Sequence, residues 1–122
     1  MSNRLARLIS LAGRRAVVCG GGGGIGSAVT RLFLEAGAEV TSLDLPGRSA
    51  PAGARSVDCD VADAAAVKAF FEDLEEREER LDALVHCAGI TRDGVLWKMP
   101  DEAWSAVLRV NLDSAFYLLK GA

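Results

Sequence analysis

Acidic residues are missing from the first 34 positions, while arginine stands there as Arg4, Arg7, Arg14, Arg15 and Arg31. Arg-rich, acid-free starts occur in organelle transit peptides. An apolar strand pattern already begins at residue 15, so residues 1–13 are expected to be a short leader instead. Its Leu5, Leu8, Ile9 and Leu11 would tuck against a domain spanning 14–122. No apolar run approaches the length that crosses a membrane, so no membrane partner is expected. Excess positive charge is absent too: the formal net charge is −3, which gives no reason to expect nucleic acid. Cysteine is sparse and odd in number, at Cys19, Cys59 and Cys87, with no tight metal spacing. That argues against a disulfide framework and fits reduced thiols in a cytoplasmic protein. A metal site from Cys59, His86 and Cys87 is not expected, because neighbours along a strand point to opposite faces. Tyrosine occurs once, at Tyr117, and there is neither an internal repeat nor a low-complexity linker.

What is present suits one folded domain. Half of the 122 residues are apolar, enough to bury a core. The densest signal is Cys19 to Gly26, C-G-G-G-G-G-I-G, set between an apolar run (Ala16, Val17, Val18) and a helical pattern. A strand that breaks into glycines and re-forms as a helix suits an anionic ligand. Glycine lets the main chain approach closely, and a helix N-terminus offers free N–H groups and partial positive charge. Two dinucleotide-type spacings overlap here. Gly21, Gly23 and Gly26 give G-x-G-x-x-G, while Gly20, Gly24 and Gly26 give G-x-x-x-G-x-G. The run itself does not choose between them.

Strand and helix patterns alternate along the chain. Residues 15–19 predict a buried strand, and 25–36 a helix with Ile25, Val29, Leu32 and Phe33 inward, stopped by Gly37. Glu39 to Leu43 predicts a second strand ending at Asp44. A loop over 46–55 and a short strand around Ser56 to Asp58 follow. Asp63 is placed to cap a helix over 64–80, whose Val67, Phe70, Phe71 and Leu74 share one face. The acidic end of that helix, with Arg77 and Arg80 interspersed, reads as a solvated surface. Leu81 to Cys87 predicts a fourth strand. After a loop containing Gly89, Gly94 and Pro100, a last helical stretch runs from Asp101 onward.

This alternation predicts an α/β fold: βαβ units, a doubly wound parallel sheet and helices on both faces. Right-handed crossovers put the first strand centrally and a ligand beyond the carboxyl ends of the strands, where the glycine run lies. Asp44 closes the second strand eighteen residues after Gly26. A carboxylate there accepts both hydroxyls of an adenosine ribose and repels a 2′-phosphate. Alone, Asp44 would pass for a solvated turn residue before Pro46; the glycines upstream favour the ribose role.

At this point the sequence resembles the short-chain dehydrogenase/reductases. Cys19-Gly20-x-x-x-Gly24-Ile25-Gly26 is similar to that family's T-G-x-x-x-G-I-G, which selects the register Gly20, Gly24, Gly26. Asp60-Val61 sits where the family places an Asp and an apolar residue against the adenine ring. His86-Cys87-Ala88-Gly89 is similar to its N-N-A-G, and Val110-Asn111-Leu112 to the segment with its catalytic asparagine. The resemblance covers nearly everything after residue 11. It implies a Rossmann-type sheet, truncated after about four strands, that holds a nicotinamide cofactor. The residues implied to bind it are Gly20, Gly23, Gly24, Ile25, Gly26, Asp44, Leu45, Asp60, Val61, Cys87, Ala88 and Gly89. Asn111 alone represents the family's catalytic set, with the family role of holding a kink in its helix and binding a water in the proton relay.

Within the family, Gly89-Ile90-Thr91-Arg92-Asp93-Gly94 with Trp97-Lys98-Met99 is most similar to 3-oxoacyl-carrier-protein and acetoacetyl-CoA reductases. Those commonly use NADPH. Here Gly23 stands where NADPH users often carry Arg, and Asp44 is acidic, so NAD is expected over NADP. The implied substrate is a ketone or secondary alcohol of a small molecule, such as a 3-oxoacyl thioester on acyl-carrier-protein or CoA. A homo-oligomer is implied for the full-length enzyme. Cys19 replaces the family's Thr and His86-Cys87 its Asn-Asn; a thiol is a weaker tie, so softer local order is expected there.

The family's chemistry needs a Tyr that exchanges a proton with the substrate oxygen, a Lys that lowers its pKa, and a Ser that holds the same oxygen. Tyr117 has Lys120 three residues on instead of four, and follows Asn111 by only six. It is expected to be an apolar-face residue, and Ser114 resembles the small residue after the family's asparagine. The chain therefore resembles the amino-terminal half of an oxidoreductase and is expected to be inactive alone. Two other readings stay open: a non-catalytic nucleotide-binding module, or one half of a split reductase. With L-D-A-L-V-H-C as an unpaired edge, marginal stability or self-association is expected.

Overall fold

The computed structural model describes residues 8–122. Four short parallel strands, β1 Arg15–Cys19, β2 Glu39–Asp44, β3 Arg55–Asp58 and β4 Ala83–His86, form one sheet in the order β3-β2-β1-β4. Cys19 pairs with Leu43 on one side and His86 on the other, so β1 is central, as right-handed crossovers require. Helix α1 (Gly24–Glu35) joins β1 to β2, and α2 (Ala64–Glu76) joins β3 to β4. After a 3₁₀ turn at Leu96–Lys98, a long helical arm comprises α3 (Asp101–Leu108), a π-turn (Arg109–Asp113) and α4 (Ser114–Gly121).

Strand alternation sends successive residues of β1 into two cores. Val17 and Cys19, with Leu43, meet Val67, Phe70 and Leu74 of α2 and Leu118 of α4. Val18, with Val40, meets Val29, Phe33 and Leu34 of α1. Helices cover both faces, and the architecture is the Rossmann-type doubly wound sheet. Full burial of a side chain such as Val18 or Leu43 contributes about 1.5–3 kcal/mol.

Several local expectations change. Leu11 joins the α1-side core and its amide donates to Ala36 O at 2.7 Å. Leu8 and Ile9 are exposed instead of tucked in, and Leu5 lies outside the described residues. On α1, Ile25 and Leu32 are 75% and 63% exposed, not inward. The helix is rolled to bury Gly26 and Thr30, because a Cβ at position 26 would lie 2.0 Å from the Gly20 carbonyl oxygen. The smallest residue, not the most apolar one, decides which face meets the sheet.

Asp63 caps α2, its carboxylate accepting from the amides of Ala65 and Ala66 at 3.0 and 3.3 Å. The helix ends at Glu76, about a turn before the expected residue 80, and its acidic end is solvated and laced by Arg77–Asp73 and Lys68–Glu72 pairs. Both α1 and α2 close with the same hydrogen bonds. Gly37 N–H reaches Leu34 O and Ala38 N–H reaches Phe33 O; Glu78 N–H reaches Glu75 O and Glu79 N–H reaches Leu74 O. This Schellman closure needs a left-handed residue after the cap. Gly37 supplies it without strain at φ 94, whereas Glu78 is forced there at φ 54. The expected fourth strand extends past β4 by main-chain pairing, Asp82 N–H to Arg15 O and Cys87 N–H to Cys19 O. The helical stretch expected from Asp101 is interrupted by the π-turn, at the asparagine where the family resemblance implies a kink.

Candidate functional site

The carboxyl ends of all four strands open onto one cleft of about 1020 Å³. Its glycines divide by what requires them. Gly20 is left-handed at φ 77, and a Cβ on it would lie 2.7 Å from Ala88 N. Gly21, outside the register selected from sequence, is just as tightly placed: a Cβ there would lie 2.1 Å from Ser42 Oγ. Gly26 abuts Gly20. Gly24, by contrast, has nothing within 4 Å of where its Cβ would stand, and Gly23 has only an ordinary contact with Gly20 O at 3.4 Å. Both line the cleft. No protein atom demands glycine at these two positions, but a ligand lying against the main chain would.

Gly23 caps α1 without a side-chain hydrogen bond, and the first turn holds no acidic residue. The first amides of the helix are therefore open to an anion, and the cradle fits a pyrophosphate. Asp44, at the end of β2, accepts Gly22 N–H on Oδ2 at 3.0 Å and Leu45 N–H on Oδ1 at 2.8 Å. A carboxylate has about four acceptor positions, which leaves two for ribose hydroxyls. Arg48 also lines the cleft, its Nε 3.9 Å from Asp44 Oδ1. Sequence reading missed it, because its approach depends on the loop after β2 folding back. Asp60 fixes a turn by accepting Ala62 N–H at 2.9 Å, and Val61 beside it is a buried part of the cleft wall.

Cys87, Ala88 and Gly89 border the cleft beyond β4. Every residue expected to bind the cofactor lies on its wall; Asn111 does not. The Asn111 carboxamide is turned onto Ile90, accepting its N–H at 2.8 Å and donating to its carbonyl at 2.9 Å. Asn111 sits in the π-turn, so the asparagine and the kink coincide.

Burial, with smaller help from Cys59, Cys87 and Asp44, pushes the Cys19 thiol up to about 12. Burial also raises Cys59 and Cys87. Near neutral pH these are thiols and offer no thiolate nucleophile. The ties between loop and sheet at the cysteines are made by main chain, Gly20 N–H to Leu43 O at 2.7 Å and Cys87 N–H to Cys19 O at 2.8 Å. Among the described residues, no three His, Cys, Asp or Glu side chains gather as a metal cage. Tyr117 packs against the core on the α2 side and, with Lys120, lines a separate groove between α2 and α4. No described helix is long and apolar enough to cross a membrane.

The family model described as enoyl-(acyl carrier protein) reductase matches residues 20–122. The chain is 34% identical over 119 residues to the 3-oxoacyl-[acyl-carrier-protein] reductase FabG of Chlamydia pneumoniae, covering 89% of this chain and 48% of that protein. It is 38% identical over 112 residues to the 2,3-dihydro-2,3-dihydroxybenzoate dehydrogenase of Escherichia coli (strain K12), covering 92% of this chain and 45% of that protein. The solved structure of Pseudomonas aeruginosa RhlG in an NADP active-site complex matches with a TM-score of 0.83 at 31% identity, over 93% of this chain and 48% of that one. The chain thus spans about half the length of these relatives. Their names carry different substrates, but the fold they share with this chain is one, and the chain belongs to the short-chain dehydrogenase/reductase family.

Proposed function

We propose that this chain is the cofactor-binding part of an enzyme that moves hydride between NAD(H) and a ketone or secondary alcohol. Gly23 and Gly24 carry the proposal: they are glycines without a protein contact to explain them, at an uncapped helix start facing the cleft. When bound, the nicotinamide supplies or accepts the hydride. The chain's own residues bind and orient. The first amides of α1 (Gly24, Ile25, Gly26), behind Gly20 and Gly23, hold the pyrophosphate, and Asp44 with Leu45 takes the adenosine ribose. Asp60 and Val61 border the adenine, and Cys87, Ala88 and Gly89 border the nicotinamide half. Asn111 acts through the kink it occupies and through Ile90.

Asp44 favours NAD(H), because a 2′-phosphate would meet its charge. Arg48 beside it offsets part of that repulsion, which makes NADP(H) the weaker second ligand. Similarity to FabG favours a 3-oxoacyl thioester on acyl carrier protein or CoA as substrate, in the cytoplasm. Trp104, Leu108, Leu112 and Phe116 are exposed at successive turns of the helical arm, which favours a homo-oligomer for the full-length enzyme. Because Tyr117 belongs to the other groove, proton exchange at the substrate oxygen is assigned to Ser, Tyr and Lys residues outside this sequence. The 122-residue chain alone is proposed to be inactive.

Titration of the chain with NADH, followed by fluorescence, tests the cofactor assignment; assay with a 3-oxoacyl thioester tests the division of labour. Saturable binding without turnover is expected from the chain. Turnover is expected only from a longer in-frame product carrying Y-x-x-x-K, or on adding a second chain that carries it. A non-catalytic module would bind and never turn over in any form, and turnover by the chain alone would overturn the division.

A further inference from the structure

Ser114 has one proton to give, and its hydroxyl donates it to the carbonyl oxygen of Val110, which can only accept. The same Oγ lies 2.8 Å from His86 Nε2. Ser114 cannot donate twice, so the imidazole must be the donor and Nε2 must carry the proton. Nδ1 is then a bare acceptor, and it is indeed buried without a hydrogen-bond partner. Burial also lowers the pKa of His86 below its usual value, which keeps the ring neutral.

The serine is tied to the kink as well. Its amide reaches Arg109 O five residues back, so the π-turn closes on Ser114, whose hydroxyl takes the Val110 carbonyl within that turn. One residue on, Asn111 holds Ile90 by both atoms of its carboxamide. Ile90 lies four residues beyond His86 on the loop that leaves β4 and lines the cleft. The connections close a ring: His86, Ser114, Val110, Asn111, Ile90 and back to His86.

We propose that His86, held as the Nε2–H tautomer, is a positioning residue that pins the π-turn to the end of β4 through Ser114 and so keeps Asn111 on Ile90 at the cleft wall. The pinning itself does not depend on which ligand the cleft takes; only its consequence for cofactor affinity rests on the nicotinamide reading. In this family His86 stands where the resemblance has an asparagine, and the ring shows what the imidazole does in its place.

Long-range ¹H–¹⁵N correlation on the unmodified, ligand-free chain reads the tautomer directly. The pattern of a protonated Nε2 is expected; that of a protonated Nδ1 would overturn the proposal. Hydrogen exchange of the Ile90 amide, again without ligand, reads the pinning. His86→Leu is expected to speed that exchange about tenfold while Val17 and Val18 in β1 keep their protection. His86→Gln, whose amide nitrogen can donate from the place of Nε2, is expected to restore it. Unchanged Ile90 exchange in His86→Leu, or no rescue by Gln, sinks the idea. If the Leu variant does not fold, Ser114→Ala in its place must loosen Ile90 while leaving β1 protected. NADH binding enters neither readout, so failure of the cofactor assignment is distinguishable from failure of this one.

Discussion

The glycine cradle after β1 and the kinked arm after β4 face the same cleft but are built by opposite means. The cradle is glycine main chain at close quarters: Gly20 against the Ala88 main chain, Gly26 against that of Gly20, and Gly21 against the Ser42 side chain. Its geometry depends on side chains being absent. The arm is positioned by side chains being present, with the Asn111 carboxamide on Ile90 and His86 on Ser114. Removing atoms therefore harms the arm, and adding them harms the cradle.

The sharpest break is Gly26→Ala. Its methyl would need the space of the Gly20 carbonyl, so a loss of about 3 kcal/mol in urea unfolding and loss of NADH binding are expected. Gly24→Ala separates ligand from protein in the same loop: with open space around the new Cβ, stability should hold while NADH affinity falls. On the arm, Asn111→Ala deletes two hydrogen bonds to Ile90 and is expected to cost about 2 kcal/mol in the same unfolding assay. Smaller still is the choice of cofactor. Asp44→Ala should move the NADH/NADPH affinity ratio about tenfold toward NADPH, worth about 1.4 kcal/mol, and Arg48→Ala should move it the other way. An unchanged ratio in Asp44→Ala would remove that carboxylate from the ribose role. Least of all, Glu78→Gly relieves a left-handed residue and should raise stability by about 1 kcal/mol, while Gly37→Glu at the matching helix end should lower it.

The same contrast explains what could be read in advance. The central place of β1 and the two covered faces follow from the strand–helix alternation, the cap at Asp63 and the stop at Gly37 from short-range patterns, and the structure contains each of them. Glycine is legible because no other residue fits such a turn. The roll of α1 was not legible, since apolar spacing pointed to Ile25 and Leu32 while a backbone contact with Gly20 decided the face. Periodicity hid the π-turn as well, although the family resemblance placed a kink at Asn111; its partners stand 21 and 28 residues away in sequence, Ile90 for Asn111 and His86 for Ser114. Gly21 and Arg48 share that limit, because the neighbours that give them meaning arrive only with the fold.

The Asn111 side chain has one more property. A carboxamide is a peptide group whose nitrogen carries no further chain, and Ile90 is bonded to it through both its N–H and its C=O. In effect the side chain is a strand one residue long, laid beside the loop that leaves β4. Among the described residues β4 is an outer strand of the sheet, and at Ile90 the main-chain N–H and C=O are both already bonded. Any strand that docks beside β4 therefore finds its open ladder upstream of Ile90, which limits both the length and the register of that pairing.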